Sequence, residues 1–576
     1  MSQIVYRGNL SSKTFPFLSQ RWGRTIIVPQ YDNTFNRQVT SQEDSDRDIG
    51  IPQMYYGHNV MATAQGFQSV GFETLVPPLP TGAGSVYDIS GTTNERLLLG
   101  VTFTGCYIYE FGHWVSKGYH NFTGAITIAT TQGKTYICSA GTNIYQYDTA
   151  SRTLSTITFS GLNVANIAGI CAVAGYLIVW TLYNSGQVFV GNSNAGSPII
   201  TGLINTATLA VGGPVTGIGV PANTTILSID SPTQITLSAN ITIGGPNSVF
   251  TQPEIQSQVL WSSTIDPTDF VPSLTTGAGG GAIEAAKGGI ATCIAHSLGI
   301  FVFTTGNIVV GLYSGNARYP FNFREIVNSG GITDPARITY DANSGNLYTY
   351  TSSGIQLIST SQAQTILPEA TDFLAGNLFE DFDETTNTFS VTDIGGNMIV
   401  RMNIIADRYL VISYGATTTT HALIYDLVFK RWGKLKITHV GTLEDFTQTL
   451  VPTNAPKKSL CFILATGEIK RAVFDTGNTA AIGVILFGKY QFVRPRMLTL
   501  DEVFLENFPS GTTPFVQILT SLDGKNTVAS TPALLDNNTL YRHYGALATG
   551  VNHSILIKGA FDMVSIVLAF HIHGKR

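Results

Sequence analysis

An all-β fold is what this sequence predicts, on three observations. Of its 576 residues 43% are hydrophobic and only 12% are charged, roughly half the usual charged share. Its polar positions are filled by Thr, Ser, Asn and Gly, which suit sheet surfaces and turns better than the solvated faces of helices. And one unit recurs at least seven times: an apolar run, a Gly/Ser/Thr/Asn turn, and a second alternating run, the pattern of a β-hairpin.

The copies are LLLGVTFTGCYIYEF from Leu97, TYICSAGTNIYQYD from Thr135, YLIVWTLYNSGQVFV from Tyr176, GIFVFTTGNIVVGLY from Gly299, GNLYTYTSSGIQLIS from Gly345, RYLVISYGATTTTHALIYD from Arg408 and SLCFILATGEIKRAVF from Ser459. In each the first run is almost continuously apolar, as a strand buried on both faces must be, while the second often ends in polar residues. With one insertion removed the copies lie roughly 40 to 65 residues apart, near the repeat length of propeller blades. The expectation is a β-propeller of six to eight blades; stacked β-sandwiches, which also repeat hairpins, are the competing arrangement.

A chain of this length exceeds what one core serves, so two to four domains are expected. Residues 195–252 change texture to small uncharged residues, with Asp230 as the sole charge. Pro214 and Pro221 separate short β-branched runs there, which predicts a small inserted β domain. Residues 1–90 form an N-terminal arm and first strands, with an acidic stretch at Glu43, Asp44, Asp46 and Asp48. The propeller occupies 91–194 and 253–486. From 487 to 576 the blade pattern gives way to alternating strands joined by Asp-Gly and Asn turns, a C-terminal β-sandwich-like domain.

The net charge of −5 argues against tight sequence-independent nucleic-acid binding, which rests on neutralising phosphates. Cys106, Cys138, Cys171, Cys293 and Cys461 are odd in number and mostly lie in apolar runs, so they are expected to be reduced core residues. The start, MSQIVYRGNLSSKTF, lacks the pattern of a signal peptide, and no apolar run is long enough to span a bilayer. Synthesis in a cytoplasm and no membrane span are expected.

Three stretches resemble the tail nozzle proteins of short-tailed bacteriophages, a family that includes the packaged-DNA stabilisation proteins. They are HNVMATAQGFQSVGFETL at 58–75, HALIYDLVFKRWGKLKI at 421–437 and the terminal NHSILIKGAFDMVSIVLAFHIHGKR. In the second, Asp426 after Tyr425 can accept backbone N–H bonds in a turn, and Trp432 can pack as an apolar plate between blades. The resemblance implies a virion protein of the tail, a homo-oligomer of six subunits forming a conduit below an adaptor ring. Tail fibres, spikes or a needle would lie nearby, and genomic DNA would pass through it at ejection. No gating residue carries over.

Sites of chemistry are weakly signalled, and neither an enzyme nor a cofactor is expected. The glycine runs GAGGGAIEAAKGG at 277–289 and TGNIVVGL at 305–312 lack a phosphate-loop ending and are expected to be flexible loops. Glu380, Asp381, Asp383 and Glu384 could supply the acid and nucleophile of a glycosidase, and a glycan-binding or glycan-cleaving propeller of a phage tail is the alternative function. They also read as a charged turn. His571 and His573 alternate on one strand without further metal ligands. Asp341 and Asn343 have the spacing of a calcium loop but lack its distal Glu, so a hairpin turn is expected. Basic residues gather as Lys430, Arg431, Lys434 and Lys436, and as Lys489, Arg494 and Arg496. These are candidate contacts to DNA or a partner, or else the charged edge of a sheet.

Overall fold

The computed structural model describes residues 3–9, 25–28 and, with interruptions of which 445–459 is the longest, 54–572. The chain is all-β with the β-propeller fold, and it divides into two compact units, residues 87–366 and residues 1–86 with 367–576.

Among the described residues, the unit of residues 87–366 holds five four-stranded sheets in chain order and the six-stranded sheet of the insert. The first blade is Ser85–Asp88, Leu98–Thr102, Gly105–Glu110 and His113–Gly118. The second is Ile126–Thr131, Lys134–Ser139, Asn143–Asp148 and Thr153–Thr156. The fourth is Ile290–His296, Gly299–Thr304, Ile308–Tyr313 and Phe321–Glu325. The fifth is Ile338–Asp341, Asn346–Thr351, Gly354–Ile358 and Ala363–Thr365.

The almost wholly apolar runs become the second strands, and Gly299–Thr304 is buried at every position. Each fourth strand is the exposed edge, as Thr153–Thr156 illustrates. Cores form between blades. Leu99 and Ile108 of the first blade pack with Ile137 and Tyr145 of the second. Tyr136 and Cys138 pack with Ile170 and Val179 of the third, Ile178 and Trp180 with Ile300 and Val302 of the fourth, and Phe301 and Val310 with Leu347 and Ile358 of the fifth.

The third blade departs from the hairpin grammar. Tyr176–Thr181 pairs with Ile167–Val173 and with Gln258–Trp261, not with the Gln187–Ser193 run that follows it in sequence. Gln187–Ser193 belongs instead to the inserted domain, which therefore begins before residue 195. The blade's last strand is Gly279–Ala282, so the first glycine run is partly a strand and not a loop. A Cβ on Gly280 (φ +143°) would lie 2.4 Å from the Val259 carbonyl oxygen, and the Trp261 indole N–H donates to the Gly277 carbonyl at 3.0 Å. A side chain is likewise excluded at Gly169, where a Cβ would meet the Trp180 ring at 2.2 Å.

The insert is a six-stranded sheet in which Gln187–Ser193 pairs with Gly245–Gln252 and, on its other side, with Ile199–Thr201. Its two outer strands are joined through residues 213–217. The Val215 N–H donates to the Thr224 carbonyl (2.8 Å) and the Ile226 N–H to that of Gly213 (2.9 Å), while Thr216 pairs with Thr251. The result is a small closed barrel around Phe189, Ile200, Ile226, Ile235, Leu237 and Phe250.

In the other unit, Ile399–Ile405, Tyr409–Gly415, Thr419–Asp426 and Arg431–His439 make a blade that Val60–Ala62, Phe67–Ser69 and Asp562–Met563 extend to seven strands. Gly441–Glu444, Leu460–Ile463 and Ile469–Val473 make the next, completed by Gly71–Val76 from the other end of the sequence. Val411, Ile424 and Leu435 pack on Leu460 and Phe462 between them. The C-terminal domain has two sheets. One orders Gln3–Asn9, Ser565–Ile572, Leu498–Glu506 and Tyr541–Gly550. The other is built on Gly483–Phe492, Asn552–Gly559 and Phe515–Ser521, with Thr25–Val28 and Met54–His58 alongside Gly483–Phe492. Of the described strands of residues 1–90, Gln3–Asn9, Thr25–Val28 and Met54–His58 thus belong to C-terminal sheets and the later ones to blades, whereas the acidic stretch lies outside the described residues.

Because Tyr176–Thr181 and Gln258–Trp261 are hairpin partners, the insert is dispensable to its blade. Replacing residues 182–257 by an Asn-Gly turn should leave the far-ultraviolet circular dichroism β-type and the melting temperature within a few degrees. A chain that no longer folds would contradict the split blade.

Candidate functional site

The seven-stranded sheet, with the turn between Thr419–Asp426 and Arg431–His439, carries Tyr425, Asp426, Trp432 and the first basic run. Thr419–Asp426 ends because Asp426 turns the chain: its Oδ1 accepts the N–H groups of Val428 (2.8 Å) and Phe429 (3.0 Å). Lys430, at φ +55°, closes the turn by donating its N–H to the Asp426 carbonyl at 2.8 Å. Across the hairpin Tyr425 lies opposite Trp432, with ring centroids 4.7 Å apart. Trp432 is buried. By strand alternation it faces away from Leu435 and Ile437, which pack on the next blade.

Arg408 is a member of this group that the sequence pattern did not single out. Its Nε and Nη2 both donate to Oδ2 of Asp426, at 2.9 and 2.7 Å. Its guanidinium also lies over the rings of Phe429 (4.7 Å) and Tyr409 (5.0 Å). The hydrogen bonds to Asp426 raise the guanidinium's pKa against the opposing effect of burial. Tyr409 is the cross-strand partner of Asp426, so the hairpin register was the signal that could have found its neighbour Arg408.

The first basic run does not form a cationic surface. Lys430 is exposed and Lys436 half-buried, but Arg431 and Lys434 are buried. A guanidinium Nη1 of Arg431 donates to the Thr63 carbonyl, and the group lies 5.2 Å over the Phe67 ring. Burial pushes its pKa down to about 10, with Asp426 acting in the opposite sense. Lys434 pairs with Leu423 on one side and Val60 on the other. The Lys436 N–H donates to Oδ1 of Asn59 at 2.9 Å. The strand is interior to its sheet, so it is neither an edge nor, at Arg431 and Lys434, a contact for phosphate. In the second run Lys489 sits in Gly483–Phe492 opposite Thr25, while Arg494 and Arg496 lie outside the described residues.

Of the other candidates, Asp341 is buried in a hairpin turn. Its Oδ1 accepts the Ser344 N–H at 3.3 Å and its carbonyl accepts the Gly345 N–H at 2.9 Å. Asn343 lies outside the described residues. Glu380, Asp381 and Asp383 lie in Leu378–Asp383, paired with Thr388–Asp393, and Glu384 lies outside the described residues. His571 pairs with Gln3 and Thr499; His573 lies outside. Among the described residues no three His, Cys, Asp or Glu side chains come together as metal ligands. All five cysteines are buried thiols outside any disulfide.

Two further polar groups are built deeply into blades. Glu110 accepts from Lys117 Nζ (2.6 Å), Arg152 Nη1 (2.9 Å) and the Tyr147 hydroxyl (2.9 Å). Burial raises its pKa, yet these three bonds outweigh burial and hold it below the ordinary value. His439 is buried between the Ile437 carbonyl, to which Nδ1–H donates at 2.7 Å, and the Ser413 hydroxyl, 2.7 Å from Nε2. Burial pushes its pKa down to about 4.

No protein-family model matches the chain, and no curated protein matches it in sequence. Among solved structures it is similar to YCF48 from Cyanidioschyzon merolae, at 11% identity and a TM-score of 0.32, over 70% of this chain and 98% of that one. It is similar to BamB from Moraxella catarrhalis at 10% identity and 0.29, over 71% and 98%, and to the computationally designed Ika8 protein at 8% and 0.32, over 70% and 100%. The assignment of the fold rests on the chain's own sheets.

The paired charges fasten strands together, and this is measurable. Asp426→Ala removes both the turn acceptor and the Arg408 pair and should cost roughly 2–4 kcal/mol of stability in denaturant titration; Arg408→Gln should cost less. Glu110 has a folded pKa below its unfolded one, so its contribution is complete above about 4.5, the ordinary value, and is lost as pH falls through the lower folded value. Glu110→Gln should therefore be less stable than the wild type at pH 7, and the difference between them should shrink through this acid window. A difference unchanged by acid would remove the network's role.

Proposed function

We propose that this chain is a structural subunit of the tail of a short-tailed bacteriophage, a nozzle component that retains packaged DNA and conducts it at ejection. One observation supports this reading above the rest. The three stretches that resemble the nozzle family are far apart in sequence, yet they supply neighbouring strands of one sheet. Val60–Ala62 and Phe67–Ser69 come from the first, Thr419–Asp426 and Arg431–His439 from the second, and Asp562–Met563 from the third. The Ser69 N–H donates to the Phe561 carbonyl and the Phe561 N–H to Oγ of Ser69, both at 2.9 Å. Resemblance that falls on mutually packed strands is what a shared architecture produces.

The electrostatics suit the role. A wall with few cations and a net charge of −5 releases few counterions from DNA and binds it weakly, so a duplex can slide past. The basic run that could have gripped phosphate is partly withdrawn into a sheet. Six identical subunits below an adaptor ring, made in the host cytoplasm and carried in the virion, complete the proposal.

Electron microscopy of the purified full chain, together with antibody labelling of intact virions, tests it. Rings with a central opening, or label confined to the tail, are expected. An unassembled chain with no label on the tail overturns the proposal. Retention on a glycan array or release of oligosaccharide by such a chain would favour the glycan-directed propeller.

A further inference from the structure

Strands Arg431–His439 and Gly441–Glu444 belong to successive blades, with Val440 alone between them. This crossing is pinned from both sides. The Val440 N–H donates to the Ile463 carbonyl of the second blade at 2.7 Å, and the Val440 carbonyl accepts from the Arg401 guanidinium of the first. Asn403 Nδ2 reaches from the first blade to the Thr442 carbonyl of the second at 2.8 Å, and the Thr419 hydroxyl donates to the His439 carbonyl.

A bulge aims the His439 side chain into this seam. The register of Arg431–His439 on its partner slips between Thr419 and His421, so that His421 lies opposite Lys436 but Thr419 opposite His439. An extra residue of this kind bends a strand and redirects its side chains. The ring is 1% exposed and meets Phe462 of the second blade edge-on, with centroids 5.0 Å apart. Phe462 packs with Ile424 and Leu435 in the core that joins the two blades.

Both ring nitrogens are engaged, and their partners fix the tautomer. Nδ1 lies 2.7 Å from the Ile437 carbonyl, which can only accept, so Nδ1 carries the hydrogen. Nε2 must then accept from the Ser413 hydroxyl at 2.7 Å. A second proton would turn that acceptor into a donor, force the hydroxyl to rotate, and place a charge in an apolar seam. Burial works against it, and so does the Arg401 cation, while the bond to Ile437 acts in the opposite sense. In the facing sheet Glu444 is paired with Leu460 and Lys470 with Phe462, one charge of each sign. His421 stacks on Tyr414, which alternates with Ser413 and so lies on the other face.

We propose that His439 is an acid-sensitive latch between the blade that ends with it and the blade that begins at Gly441. The proposal goes beyond the conduit reading and does not depend on it, since both blades belong to one chain. An opened seam takes up the proton near the ordinary value of 6.5, whereas the seated ring resists until about 4. Between these values the opened state binds more protons. The stabilisation is therefore complete above about 6.5 and falls as pH drops through the window, by roughly thirtyfold in the opening equilibrium at pH 5.

Hydrogen exchange of the full chain at pH 7 and pH 5, each referred to the intrinsic chemical rate at that pH, tests the latch. Both values lie above the ordinary value of 4.5 for Glu110. Residues 435–440 and 460–463 should lose roughly thirtyfold in protection at pH 5, while Lys134–Ser139 in the other unit should keep theirs. His439→Gln, which retains a donor and an acceptor without a titrating ring, should be protected equally at the two pH values. Ser413→Ala removes the donor that favours the neutral ring. It should be less protected at pH 7 and should lose less than the wild type on acidification, whereas a merely structural role for the hydroxyl would lower protection equally at both. A wild type whose seam keeps its protection at pH 5, or loses it together with Lys134–Ser139, overturns the proposal. So does a folded His439→Gln that opens in acid as the wild type does. Should that variant not fold, a Ser413→Ala chain with the full wild-type acid loss overturns it alone.

Discussion

No blade of this protein can stand alone. Its second strands are buried on both faces, as Gly299–Thr304 is at every position, and each face needs a neighbouring sheet to exclude water. The cores accordingly lie between blades: Tyr136 and Cys138 reach the third blade, Trp180 the fourth, Phe301 the fifth. Three cysteines sit in these seams, and burial pushes the thiols of Cys138 and Cys171 up to about 12 and that of Cys293 well above the ordinary value. At such values they are inert packing residues.

The scarcity of charge follows from the same constraint. With so much of each strand committed to a neighbour, ionised groups are used sparingly, as fasteners. Asp426 holds both its own turn and Arg408. Glu110 joins Lys117, Tyr147 and Arg152 from separate strands and a turn. Each buried carboxylate meets its donors within the unit to which it belongs, and each would be costly to leave behind unpaired.

Six of the seven repeated hairpins were legible in the sequence because their partner strands are adjacent and short turns announce them. The copy at Tyr176 misled because Gln187–Ser193 offers a closer apolar run than the true partner Gln258–Trp261. Local pattern carries no information about which strand returns after an insertion. The same limit hid the fate of Arg431 and Lys434. Basic side chains read as surface until strand Val60–Ala62 arrives from the far end of the sequence to cover them. The 277–289 glycines read as flexible, yet close approach of Val259 and Trp261 makes part of that run a strand. The turn at Asp426 was visible in the sequence because an acceptor before a tight turn serves backbone N–H groups within three residues, whereas its ion pair with Arg408 depends on strand register.

The strand Gly71–Val76 completes a blade whose other members end at Val473, and Ser69 is bonded to Phe561 across 492 positions of sequence. A ribosome makes these early segments long before their partners exist. Gly71–Val76 must therefore emerge as an unpaired strand and wait until Ile469–Val473 has been translated. Such distant pairings also make for slow folding, since a long loop must close before any contact rewards it. The arrangement gives the finished blade a late checkpoint: a chain stopped before Ile469 leaves a raw edge, open to chaperone or protease, and only one that continues through Val473 can cover it.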